Sequence, residues 1–181
     1  MSGSKRQSAA SARAEVEALR RVNRESHEAA LDAYFEDGIG GTKVLTVAWV
    51  TTVLFGAAQL VGVLAYAEDE LTTGLIISTI VSLGLFVAGC VVFAGAILRG
   101  ATRSRESVLG IGGWFLLAGS APRRVQLVLL GSLAAQFTIG LSAAFARPFS
   151  PLAFGTLSWI WGLALCGWWS ARHGYFPRRA D

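Results

Sequence analysis

RGATRSRESVLGIGGWFLLAGSAPRR, residues Arg99 to Arg124, is the stretch on which the fold turns. It has arginine at both ends and an apolar middle. Whether that middle crosses a membrane decides which way everything after it faces. Between Arg105 and Arg123 lie 17 residues, including Glu106 and a Ser120-Ala121-Pro122 helix start. The apolar part is nearer 12 residues, about 18 Å of helix at ~1.5 Å per residue. A hydrocarbon core is about 30 Å thick. The middle is therefore too short to span.

Working outward, the flanking chain is membrane-like. Apolar residues make up 53% of the 181 and charged residues 15%, against about 25% charged in a soluble domain. Thirteen of the charges precede Ile39, and long runs after Lys43 carry none. Val44 to Ala67 is uncharged for 24 residues, about 36 Å as helix. Leu71 to Leu98 is uncharged for 28 and must tilt or extend past the hydrocarbon. Only Glu68-Asp69-Glu70 separates these two runs, so they form a tight antiparallel hairpin. Val125 to Ala146 is a third span. After the turn Arg147-Pro148-Phe149-Ser150-Pro151, a fourth runs from about Leu152 to Ala171. Ser150 suits its N-cap and Pro151 its first turn. Arg172, His173 and Gly174 suit its end.

Positive charge fixes the orientation. With four spans and both termini inside, Lys43, Arg99, Arg103, Arg105, Arg123, Arg124, Arg172, Arg178 and Arg179 lie inside, nine against Arg147 alone outside. Were residues 107–118 a further span, the tally would be five against five. The positive-inside rule selects the first arrangement. The expected fold is all-α: a four-helix integral membrane bundle of two antiparallel hairpins, with an N-terminal cytoplasmic helix and a short segment between the hairpins.

On a helical wheel Val108, Leu109, Ile111, Trp114, Phe115, Leu116 and Leu117 do not gather on one side, and Gly110, Gly112, Gly113 and Gly119 lie among them. That fits a short helix tucked shallowly into the inner leaflet, or a re-entrant turn buried against the bundle. As a contact surface for lipid or a partner, the expected residues are Arg103, Arg105, Arg123 and Arg124, exposed around Trp114 and Phe115. A plain connector between hairpins is the alternative.

Residues 1–42 form a tail. Met1 to Ala10 has nothing to bury and reads as disordered. From about Ser11 to Phe35 the chain is Ala, Glu, Leu and Arg without Gly or Pro, which favours helix. Its apolar stripe is thin, which favours a self-solvated helix over a partner-binding one. Gly38, Gly40 and Gly41 then make a flexible joint. The membrane domain takes residues 43–181.

Little in the spans carries chemistry. None contains Asp, Glu, Lys, Arg or His, the residues on which proton relays and ion-coupled transporters depend. Gln59 and Gln136 are expected to hydrogen-bond between helices, at about 0.5–2 kcal/mol each; a polar pore is the rival use. Gln126, beside Arg123 and Arg124, reads as interfacial. Ala58 with Gly62, Gly84 with Ala88, Gly131 with Ala135 and Gly140 with Ala144 are small pairs at close-packing spacing. Arg147 either meets Glu68, Asp69 or Glu70 across the outer loops or snorkels. Trp159 and Trp161 face a neighbouring subunit or lipid. Cys90 and Cys166 lie in apolar runs and read as buried hydrophobes. His27 and His173 make no site. Gly110-Ile111-Gly112-Gly113 has neither the preceding strand nor the following Lys-Ser/Thr of a phosphate loop. No catalytic residues, metal or cofactor are expected.

Ala118-Gly119-Ser120-Ala121-Pro122-Arg123-Arg124, Arg147-Pro148-Phe149, Leu152-Ala153-Phe154-Gly155 and Ala171-Arg172-His173-Gly174-Tyr175-Phe176-Pro177 together resemble small multi-span membrane proteins of actinobacteria. The richness in Ala, Gly and Arg with only two lysines agrees with a GC-rich bacterial genome. The resemblance implies a multi-pass protein of the bacterial inner membrane and no particular activity. The expected function is non-enzymatic: an accessory or scaffold subunit meeting anionic lipid, or a membrane or cytoplasmic protein, at the inner face. The alternative is a small channel or transporter built as a homo-oligomer. Nucleic acid is not an expected partner, because the arginines sit at span ends.

Overall fold

The computed structural model describes residues 2–66, 72–105, 107 and 110–177, with side chains from residue 13 onward. It is all-helical, with four helices long and apolar enough to cross a membrane, packed against one another. The chain divides into residues 1–38 and 39–181.

The first unit is one helix, α1 (Ser2–Tyr34). It begins well before Ser11, where residues 2–10 offer no proline to oppose it. Val16, Leu19 and Val22 are exposed along it.

The second unit holds α2 (Thr42–Leu64), α3 (Thr73–Arg103), the short α4 (Ile111–Phe115), α5 (Arg123–Ala146) and α6 (Trp159–His173). Thr72 caps α3, its hydroxyl accepting from the Leu75 N–H. Residues 67–71, the inter-span acids among them, lie outside the described residues.

The expected continuous fourth helix is in fact two pieces. Pro151–Leu157 is a 3-10 helix and α6 follows it. Ser150 does cap it, accepting from the Leu152 N–H at 3.4 Å. Two close approaches accompany the tighter winding. A Cβ on Gly155 would stand 2.8 Å from the Gln59 amide nitrogen, and the Gly155 carbonyl presses on Gly140 of α5. Seven residues at ~2.0 Å and fifteen at ~1.5 Å still reach about 36 Å, enough to cross.

Side-chain contacts give the directions. Gly62 meets Ser78 and Gly74 meets Ala65, so α2 and α3 are antiparallel. Ser132 of α5 meets Ala48 of α2 and Gln136 meets Thr52, so these two helices run parallel. Gly89 of α3 lies on the Trp161 backbone of α6, and Arg103 on Ala171, again in parallel. The result is two antiparallel hairpins, α2 with α3 and α5 with the 3-10 helix and α6. The α3–α6 contact is the most extensive.

The bundle is small and polar inside, large and apolar outside. Ala48, Thr52, Phe55, Ala58, Gln59 and Gly62 form the buried stripe of α2; Val125, Leu129, Ser132, Gln136, Gly140 and Ala143 form that of α5. Val53, Leu54, Leu64, Ile80, Val91, Leu98, Leu127 and Phe145 face outward. In lipid, helix association has no hydrophobic drive, and close backbone packing and hydrogen bonds take its place. Of the small pairs, Ala58 with Gly62 packs as expected, whereas Gly84 is exposed, with open space where a β-carbon would stand.

Candidate functional site

The described part of residues 107–119 does not span. It turns back on itself and wedges against α3 and α6. Gly110 leads into one turn of helix, α4, and the chain reverses at Leu117, which has φ 59° and a fully buried side chain. A left-handed non-glycine residue costs about 1–2 kcal/mol, so local bonds must hold it. The Ala118 N–H donates to the Gly112 carbonyl at 3.0 Å, and the Ser120 hydroxyl donates to the Gly113 carbonyl. Gln126 of α5 reaches back, its Nε2 donating to the carbonyls of Leu117 at 3.0 Å and Ala121 at 2.8 Å. Gln126 is thus the latch of this loop, a role its place beside two arginines had hidden. The Tyr175 N–H closes the other side on the Ser120 carbonyl at 2.8 Å.

Trp114 differs from the expected exposed contact residue. It is half-buried between α3 and α6. Its ring lies where a side chain on Gly100 would stand, its Nε1 donates to the Gly167 carbonyl at 3.2 Å, and its carbonyl accepts from the Ser170 hydroxyl at 2.5 Å. Phe115 stacks on Phe93 at 5.1 Å and fits against Gly167. The aromatic pair anchors the wedge, and the glycines at 100 and 167 make its socket.

With these directions, the starts of α2 and α5 and the ends of α3 and α6 share one end of the bundle. Lys43, Arg99, Arg103, Arg105, Arg123, Arg124 and Arg172 all sit there. Arg105, Arg123 and Arg124 are exposed. Arg103 is not free: it donates to the carbonyls of Ser170 (3.4 Å), Ala171 (3.1 Å) and Gly174 (2.7 Å) and covers the Phe176 ring at 5.2 Å. It caps the negative end of the α6 dipole. Ser170 therefore joins Arg103 and Trp114, the two expected site residues brought together. Arg99 and Arg172 lie over one ring, Trp168, at 4.8 and 5.7 Å. The glycine joint is divided. Gly38 has φ 117° and open space, whereas Gly40 and Gly41 lie against His173, and the Gly40 carbonyl accepts from Trp169 Nε1 at 3.0 Å.

At the far end, Arg147 stacks on Tyr66 at 4.7 Å. Its expected partner Glu68 lies outside the described residues. Inside the bundle, Gln59 Nε2 donates to Ser82 Oγ at 2.8 Å, joining α2 to α3, and Gln136 Nε2 donates to Thr52 Oγ1 at 2.8 Å, joining α5 to α2. The Oε1 atoms of both glutamines, and Ser78 Oγ, are buried without a partner. Trp161 is partly buried, and its Nε1 donates to Thr51 Oγ1 at 2.9 Å. Cys166 is buried and Cys90 is exposed, against the expectation that both are covered. Among the described residues no group of three or more His, Cys, Asp or Glu is placed to hold a metal.

Comparison with family models, curated proteins and solved structures finds no match.

Proposed function

We propose that this chain is a non-enzymatic accessory or scaffold subunit of the bacterial inner membrane, with both termini in the cytoplasm. Its basic end meets anionic lipid headgroups or a partner protein. One observation carries the reading: seven basic side chains gather at one end of the bundle, against Arg147 at the other, among the described residues. Anionic lipid draws such residues at about 1 kcal/mol each. Arg105, Arg123 and Arg124 are exposed at that end, whereas Trp114 is spent on packing. The exposed Val16, Leu19 and Val22 of α1 offer a thin apolar stripe to a protein partner.

Gentle solubilisation followed by sizing and mass spectrometry tests the proposal. The full chain should run in a larger assembly that weakens when Arg105, Arg123 and Arg124 become alanine or residues 1–38 are removed. A protein that runs alone and is indifferent to both changes contradicts it.

The rival reading, an oligomeric channel or transporter, draws on the unpartnered Oε1 atoms of Gln59 and Gln136. Solute flux in proteoliposomes that falls when either glutamine becomes leucine would favour it.

A further inference from the structure

We infer that the pocket between the ends of α3 and α6 is a phosphate site, in which Arg99 and Arg172 grip the phosphodiester of a phospholipid headgroup or a free phosphate. The inference rests on the proposed function only in placing the basic end at a lipid surface.

The pocket has a volume of about 400 Å³ and is lined by Arg99, Thr102, Arg103, Ala171 and Arg172. No carboxylate is among the described residues that line it. Three guanidinium groups thus share one opening, and their described partners, an aromatic ring and backbone carbonyls, carry no formal negative charge. Arg99 and Arg172 both lie over the Trp168 ring, at 4.8 and 5.7 Å. A guanidinium over an aromatic face keeps its in-plane N–H fork free, and that fork matches phosphate oxygens two at a time. Thr102 has turned its hydroxyl hydrogen to the Arg99 carbonyl at 2.7 Å, so it forms wall rather than donor.

Arg103 has a different task. The last carbonyls of a helix repel an anion. Arg103 covers two of them, at Ser170 and Ala171, and the Gly174 carbonyl just beyond the helix. It is a positioning residue: it turns the negative end of α6 into a surface that an anion tolerates. Arg99 lies one turn inside the end of α3, and Trp168 a little over one turn inside the end of α6. Tryptophan at that depth marks the headgroup level.

The test uses the full-length protein and native mass spectrometry, with phosphatidylglycerol, phosphatidylcholine and inorganic phosphate as probes. Phosphatidylglycerol should be retained in preference to phosphatidylcholine, whose choline offsets its phosphate. Arg99→Gln with Arg172→Gln should weaken that retention about thirtyfold, while Arg147→Gln, at the opposite end, leaves it unchanged. Arg172→Gln alone carries the comparison should the double variant lose its monodisperse peak, with about a fivefold loss expected. Inorganic phosphate that binds in detergent, is lost in the same variants and is not matched by phosphatidylglycerol keeps the site and assigns it to a soluble anion. Equal retention of the two lipids with no phosphate binding, or retention indifferent to Arg99 and Arg172, overturns the inference. Retention at this pocket in a protein whose basic end maps to the outer face would remove the proposed function and leave the pocket standing.

Discussion

Gly100→Ala and Gly84→Ala make the same chemical change on one helix and should move stability in opposite directions. Both glycines lie within α3, where alanine favours the helix by about 0.5–1 kcal/mol. At Gly84 nothing lies within 4 Å of the added methyl, so only that gain applies. At Gly100 the methyl falls on Trp114 ring atoms. The ring has little room to give: its Nε1 is bonded to Gly167 and its face is stacked on Phe115 at 4.8 Å. Overpacking of this kind costs about 1–3 kcal/mol. Because the ring is fixed on two sides, the cost lies toward the upper end, about 2–3 kcal/mol. Subtracting the helix gain leaves a net loss of about 1–2.5 kcal/mol. For a chain of this length that is a fall of about 2–10 °C in Tm. Thermal unfolding in one detergent, read by near-ultraviolet circular dichroism, measures both variants, and hydrogen exchange should show faster exchange at residues 111–118 for Gly100→Ala alone. A Gly100→Ala protein as stable as Gly84→Ala would mean that Trp114 is not wedged against α3.

Other substitutions probe other joints. Gln136→Leu loses the bond to Thr52 and also removes an unpartnered buried oxygen, so denaturation in mixed micelles should show a cost below about 1 kcal/mol; a loss above about 3 kcal/mol would mean that the polar seam holds the bundle together. Arg103→Gln uncovers the carbonyls at the end of α6 and should speed proteolysis after Tyr175 while leaving the spans protected; unchanged cleavage would show that the tail is held by other contacts. In detergent, an apolar maleimide should modify Cys90 in the folded protein and Cys166 only after unfolding, and labelling of Cys166 first would contradict the packing of α6 on its neighbours.

The spans were legible because lipid imposes its rule residue by residue: a run without charge is visible in the sequence alone. So was the failure of residues 107–118 to cross, which needed only a length and a count of arginines. What stayed hidden depends on partners far along the chain. Arg103 looks like an exposed arginine until α6 brings its carbonyls within reach, 67 to 71 residues away. Trp114 looks like an interfacial aromatic until the glycines at 100 and 167 are seen to form its socket. Gln126 looks merely interfacial until the chain reverses at Leu117. The 3-10 opening of the fourth span accompanies the approach of Gly140 and Gln59 to Gly155, which no local propensity announces. Gly38 to Gly41 read as one joint, yet the last two glycines are packed on His173. In each case composition supplied the residue, and the tertiary contact supplied its use.

The central claim, that the chain crosses four times and that Arg99 to Arg124 returns to the side it left, has a direct test. In a Cys90→Ser, Cys166→Ala background, single cysteines replace Arg105, Arg124 and Phe149, all three exposed. Each is labelled in right-side-out and inside-out vesicles with a membrane-impermeant maleimide. The account predicts that positions 105 and 124 label from the same face, the inner one, and that position 149 labels from the other. Labelling of 105 and 124 from opposite faces would mean that the wedge spans, and would reverse everything after it.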